Sequence, residues 1–257
     1  MSPGGESFRH SPTAFSEEAM PDVTVVLVHG AFAESASWNG VIERLAAADV
    51  AAVTVANPLR GVATDAAYVR DVVASLDTPV ILVGHSYGGQ VITQAAADAP
   101  AVRALVFVAA FAPEIGETAL VLSNRFVGST LGDAVVARPL TGGGLELSIS
   151  PAKFPHQFAA DADPGQAALM AITQRPITEA ALNEALTGDE PAWRRLPSWF
   201  IWGSEDRNIP AAALRWMGER AGGKELIEIS GAGHALPVSQ PDPVADTILQ
   251  AVAAVRA

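Results

Sequence analysis

The sequence predicts an α/β protein: a six-stranded, mostly parallel sheet with helices on both faces, interrupted once by a long insertion. Three observations carry this. Apolar runs of strand length alternate with segments whose apolar residues recur at helical spacing. The runs are continuously apolar, as in parallel strands covered on both faces. One stretch of about 85 residues, Pro113 to Pro197, breaks the alternation and is too long for a structureless loop in a compact domain.

The first run is Val23–Val28, followed by Trp38, Val41, Ile42 and Leu45 at helical spacing. Val50–Val55 is the second run, followed by a helical pattern through Val69, Val72, Val73 and Leu76. Val80–Val83 is the third, and Val91, Ile92, Ala95 and Ala96 continue it as a helix. Ala104–Ala109 is the fourth. The insertion follows, with Gly142, Gly143 and Gly144 in series, several prolines, and two short helical patterns near Gly165–Thr173 and Thr178–Leu186. It is read as a helical cap over residues 113–197, between the fourth and fifth strands. Ser198–Trp202 resumes the sheet and Glu225–Ile229, more alternating, ends it. Asp242 as N-cap and Pro243 at the first helical position open the last helix, with Val244, Ile248 and Val252 as its buried stripe. Residues 22–112 and 198–257 thus form the core. Residues 1–21, rich in Ser, Pro, Gly and Glu, read as a flexible tail.

Composition removes several function classes. The chain has 257 residues, 49% of them hydrophobic, no cysteine, and a formal charge of −12. Thiolate chemistry, disulfides and cysteine-bound zinc are excluded. An acidic surface repels phosphate backbones and anionic lipid, so neither nucleic acid nor membrane is the expected partner. No apolar stretch reaches membrane-spanning length, and the first twenty residues lack the apolar core of a secretory signal. The expected location is cytoplasmic.

The chemistry starts at Gly84-His85-Ser86-Tyr87-Gly88-Gly89, a G-x-S-x-G motif between the third strand and a helix. A serine that projects from so tight a turn needs residues without side chains two positions to either side, and Gly84 and Gly88 stand there. The following helix start brings positive potential. The Tyr87 backbone N–H is placed to meet a developing oxyanion. A phosphate-binding loop would need Gly-Lys-Ser/Thr, which is absent. His29-Gly30-Ala31-Phe32 follows the first strand, where a second oxyanion donor is expected: Ala31, with Phe32 as the alternative. His29 itself reads as structural.

A serine nucleophile needs a neutral imidazole as base. Of the five histidines, His10 lies in the tail, His85 within the turn with its side chain expected to point away from the serine, and His156 in the cap. His234, in the glycine-rich Ser230–Ala235 loop after the last strand, is the candidate. The acid that orients it is expected after the fifth strand, in Gly203-Ser204-Glu205-Asp206-Arg207-Asn208-Ile209-Pro210. Asp206 is preferred, with Glu205 and then Glu114 as alternatives. Phe32, Phe111, Phe154 and His156 are candidates to line the substrate pocket. No metal site is read.

These motifs resemble the α/β-hydrolase superfamily from Val23 to the C-terminus. Within it the chain is similar to the compact branch containing plant methylesterases, hydroxynitrile lyases and bacterial pyrethroid-type carboxylesterases. The carrying residues are His29–Ala31, Gly84–Gly89, Val106–Pro113, Glu205–Pro210 and Gly231–His234. The resemblance implies the α/β-hydrolase fold without its usual first hairpin, a cap over the serine, the order Ser86, Asp206, His234, and cofactor-free cleavage of a small or medium, largely apolar ester through an acyl-enzyme. It also implies two departures. Dehalogenase relatives carry aspartate where Ser86 stands, and hydroxynitrile lyases carry lysine where Ala235 stands. A lactonase or a perhydrolase-like or haloperoxidase-like enzyme would share this triad, and so would a non-catalytic ligand receptor built on the fold.

Overall fold

The structure is a computed structural model and describes residues 22–257. The expected tail, with His10, lies outside the described residues. The strands are β1 (Thr24–Val28), β2 (Ala51–Val55), β3 (Val80–His85) and β4 (Val102–Val108), then, beyond the insertion, β8 (Ser198–Gly203) and β9 (Glu225–Ile229). They form one sheet in the order β2-β1-β3-β4-β8-β9, every neighbour pair parallel. Helix α1 (Asn39–Ala47), the short α9 (Leu236–Ser239) and the C-terminal α10 (Pro241–Arg256) cover one face. Helices α2 (Val62–Ala74), α3 (Gly88–Ala96) and α8 (Ala211–Ala221) cover the other.

The period-2 geometry of strands explains the two cores. Val26, Val28, Leu82 and Phe107 pack with α2, α3 and α8, whereas Val25, Leu27, Ile81 and Val106 pack with α1 and α10. The central strands are apolar on both sides for that reason. The edges differ from the sequence reading. Val50–Val55 was expected to be covered on both faces, yet β2 is an edge strand with Val53 36% exposed. The last helix also begins earlier than expected, at Pro241, and Asp242 caps nothing: its carboxylate pairs with Arg44 of α1.

The insertion between β4 and β8 carries helices α4 (Ala119–Ser123), α5 (Phe154–Phe158), α6 (Pro164–Thr173) and α7 (Glu179–Asn183). Beside them stands an antiparallel sheet that the helical reading did not resolve: β5 (Val135–Pro139), β6 (Leu145–Ile149) and β7 (Ile177–Thr178). The glycine series makes its turn, with Gly143 and Gly144 at φ +91° and +81°, conformations costly for any other residue. Side-chain caps begin the helices: Thr118 for α4, Asp163 for α6 and Thr178 for α7. The insertion is tied to the core by polar contacts. Glu184 accepts from the free N–H groups of Val62 and Ala63 at the start of α2, at 2.7 and 3.0 Å. Buried Glu146 pairs with Arg60 at 2.7 Å and with Arg138. Among the described residues no helix is long and apolar enough to cross a membrane.

Candidate active site

Ser86 stands between β3 and α3 with φ +55°, a left-handed conformation that costs a non-glycine residue about 1–3 kcal/mol and is kept only where the surroundings enforce it. Those surroundings are backbone. The Ser86 N–H donates to Val108 O at 3.2 Å, and Ser86 O accepts from Gly89 and Phe111 N–H at 3.0 and 3.1 Å. Both flanking glycines are sterically required. A Cβ on Gly84 would lie 2.6 Å from Gly88 O, and one on Gly88 would lie 2.5 Å from Val28 O. The serine is thereby held at the carboxyl edge of the sheet beside the start of α3.

The loop after β1 approaches this turn as closely as backbone can. A Cβ on Gly30 would lie 2.6 Å from both His85 O and Ser86 Cβ. The Phe32 N–H is spent on Arg175 O at 3.0 Å. The backbone N–H groups of Ala31 and Tyr87 find no protein acceptor among the described residues, and both residues line the same pocket as Ser86. Of the two expected candidates for the second donor, Ala31 is therefore the free one. His29 is fully buried, its ring bonded to Gly30 O at 2.9 Å. Burial lowers its pKa to about 4, so it is a neutral brace for this loop.

The candidate base and acid arrive from adjacent strand ends. Gly203, closing β8, is packed so tightly against the loop after β9 that a Cβ there would lie 2.2 Å from Ala232 O. His234 Nδ1 meets Asp206 Oδ2 at 2.6 Å, and both side chains are buried. The other carboxylate oxygen, Oδ1, accepts from the Asn208 and Ile209 N–H groups at 2.8 and 2.9 Å. A carboxylate accepts, so the neutral imidazole carries its hydrogen on Nδ1 and keeps a lone pair on Nε2. The alternative acids are elsewhere: Glu205 is exposed, and Glu114 pairs with Arg194.

His85 points back, away from the pocket, as expected, and packs behind His234. Its ring centroid is 4.8 Å from that of His234, and its Nε2 bonds His234 O at 3.0 Å. Burial, then the neighbouring His234, hold its pKa well below the usual value, so it stays neutral and donates to that carbonyl. Phe158 stands edge-on to His234 at 5.0 Å, a contact the sequence reading missed. Asp65 was missed too. It is fully buried on α2 and accepts from the Tyr87 hydroxyl at 3.0 Å and from the Arg60 N–H at 3.1 Å.

Ser86 and His234 line one pocket of about 70 Å³, without a hydrogen bond between their side chains. Such bonds often tighten only once substrate is bound. The walls are mostly apolar, with Phe32, Phe111, Leu120, Leu131, Leu182 and Ile209. Phe32 and Phe111, two of the expected lining residues, are in this wall. Phe154 and His156 do not line this pocket. Phe154 is fully buried and stacks on Phe158 at 4.9 Å, because its ring fills the core of the insertion. His156 lies on the outer side of the acid loop, where it bonds Arg207 at 3.0 Å.

A comparison with known families matches residues 25–247 to the alpha/beta hydrolase family. The chain belongs to that family. It is 26% identical over 252 residues to Esterase PIR7B of Oryza sativa subsp. japonica, covering 88% of this chain and 94% of that protein. It is 26% identical over 243 residues to an alpha-hydroxynitrile lyase of Arabidopsis thaliana, covering 87% and 94%. Among solved structures, polyneuridine aldehyde esterase superposes with a TM-score of 0.77 at 19% identity, covering 91% of this chain and 100% of that one. The expected compact branch of methylesterases, lyases and pyrethroid hydrolases is thus the branch that this alpha/beta hydrolase resembles.

Proposed function

We propose that this alpha/beta hydrolase cleaves carboxylic esters through an acyl-enzyme, with Ser86 as nucleophile, His234 as base and Asp206 as its orienting acid. One observation carries the reading. A buried Asp206–His234 pair, with its imidazole free at Nε2, opens on the same pocket as a serine held in a strained turn. The esterase relatives support it.

In the first half-reaction His234 Nε2 accepts the Ser86 proton as Oγ attacks the ester carbonyl carbon. Charge gathers on the carbonyl oxygen and is met by the N–H groups of Tyr87 and Ala31. The tetrahedral intermediate collapses, the C–O bond to the alcohol breaks, and His234 returns the proton to the leaving oxygen. Water repeats the sequence on the acyl-enzyme and frees the acid. Asp206 stays ionised and stabilises the imidazolium formed in each half.

No step needs a metal or an organic cofactor. The apolar walls suit an uncharged small or medium ester, and a lactone would open by the same chemistry. Against lyase chemistry stands Ala235, a buried side chain without charge directly after His234. The deciding experiment is Ser86→Ala with p-nitrophenyl esters of graded acyl length. Turnover should fall by several orders of magnitude while the fold is kept, and a fluorophosphonate should label the parent protein stoichiometrically but not the variant. Retained turnover in Ser86→Ala would overturn the assignment. Tight binding without turnover in the parent would favour a receptor.

A further inference from the structure

We infer that Asn208 determines specificity: its side-chain N–H donates to a second oxygen on the substrate, so the pocket favours esters bearing an ether or ketone oxygen over hydrocarbon esters of the same shape. This deepens the ester-hydrolysis reading and rests on it.

Asn208 follows Asp206 by two residues, and its backbone N–H is bound to the Asp206 carboxylate at 2.8 Å. The side chain therefore sits at a fixed place beside the acid. It is 3% exposed and lines the Ser86 pocket. Neighbouring bonds set which end of its amide faces which way. Gln157 Nε2 donates to the backbone carbonyl of Arg207 at 2.8 Å. A carbonyl only accepts, so that Gln157 atom is the NH2 group, and Thr130 Oγ1 completes the assignment by bonding Gln157 Oε1 at 2.9 Å. The same Gln157 Nε2 reaches Asn208 at 2.8 Å, so the Asn208 atom it meets is the oxygen. The Asn208 NH2 group is left, and among the described residues it has no partner.

A buried donor without an acceptor is a standing cost, seldom kept unless something fills it. Of the other polar side chains in the pocket wall, Ser86 and His234 are the proposed catalytic pair, Tyr87 gives its hydroxyl hydrogen to Asp65 at 3.0 Å, and Ser123 gives its own to Leu120 O at 2.9 Å. Asn208 is thus a wall residue with an amide donor to spare. That nitrogen is itself sealed in this structure; a substrate oxygen that reaches it as the wall yields gains a bond that a methylene cannot make.

The test uses two shape-matched ester pairs, p-nitrophenyl methoxyacetate against p-nitrophenyl butanoate, and 2-methoxyethyl acetate against butyl acetate. In each pair one CH2 is exchanged for oxygen, on the acyl or the alcohol side. The reading is the ether-to-hydrocarbon ratio of kcat/KM in the parent, divided by the same ratio in Asn208→Leu. This cancels intrinsic reactivity. The quotient should be about tenfold in at least one pair, as for one neutral hydrogen bond. A purely structural role would slow both members equally, and quotients within twofold of unity in both pairs would overturn the inference.

If Asn208→Leu fails to fold by circular dichroism, Asn208→Ala replaces it. If both fail, the parent ratio divided by the ratio of hydroxide-catalysed rates decides: a clear excess in one pair supports the inference, and unity in both overturns it. Failure of the parent to turn over any of these esters, or equal turnover by Ser86→Ala, refutes the ester-hydrolysis reading itself, and the inference with it.

Discussion

Adding one methyl group at Gly30 tests whether the loop after β1 is a working part of the site. The new Cβ would lie 2.6 Å from His85 O, 2.6 Å from Ser86 Cβ and 3.0 Å from Tyr87 N. An ordinary contact needs about 3.5 Å, so loop and turn must part by roughly 1 Å. The atoms in the way are mostly backbone, in a turn already bonded to Val108 and Phe111, so no side chain can simply swing aside. Overpacking of this kind costs about 1–3 kcal/mol, or about 2–4 °C of Tm per kcal/mol for a chain of this size. The catalytic effect should be larger. The displaced atoms carry the proposed nucleophile and one proposed oxyanion donor, and an error of about 1 Å in such groups costs about 100-fold. Gly30→Ala is therefore expected to keep its fold, lose a few degrees of Tm, and drop at least about 100-fold in kcat on p-nitrophenyl acetate, with KM little changed. Gly142→Ala, where the added Cβ meets nothing within 4 Å, is the control. Parent-like kcat in a folded Gly30→Ala would refute the reasoning.

Two further changes probe groups behind the site. In Asp206→Asn the amide oxygen can still accept from the Asn208 and Ile209 N–H groups. The NH2 then faces His234 Nδ1 and forces the imidazole hydrogen onto Nε2, the wrong end. Steady-state kinetics should show kcat down by about 10⁴ with the fold intact, and a loss under tenfold would argue against this role. Asp65 concerns stability. Burial raises its pKa against the hydrogen bonds from Arg60 and Tyr87 that lower it. The folded protein thus holds that proton more tightly than the unfolded chain, and this residue's contribution is lost as pH rises above the ordinary carboxylate range toward neutrality. Asp65→Asn removes the titration, so Tm followed from pH 4 to pH 7 should rise in the variant relative to the parent. Parallel profiles would exclude this linkage.

The sheet was legible because its central strands are covered on both faces and so read as unbroken Val, Ile and Leu. The order of the candidate loops was legible because Gly84 and Gly88 cannot be other residues in so tight a turn, and because the candidate acid and base follow strand ends. The misreadings have physical causes. β2 is apolar enough to pass for an inner strand, although its outer edge is unpaired. The small antiparallel sheet was signalled by Gly142–Gly144 before the alternating Leu145-Glu146-Leu147-Ser148-Ile149, but each strand is only a few residues long. Phe154, Phe158 and His156 are separated by two positions each on one short helix. Which of them faces His234, the core or Arg207 depends on how α5 docks, and no local pattern encodes that. Asp65, Gln157 and Asn208 are polar residues whose roles exist only through partners distant in sequence.

The sheet order also makes enzymatic activity a report on folding. The proposed oxyanion and nucleophile loops follow β1 and β3, which pair with each other early in the chain. The proposed acid and base follow β8 and β9, and β8 joins through Leu105↔Ser198 only after the whole inserted segment has been closed into a loop. That is the longest-range pairing in the main sheet and the slowest kind of contact to form. Regain of turnover during refolding should therefore lag the regain of helical signal, timing the moment at which the two halves of the chain meet.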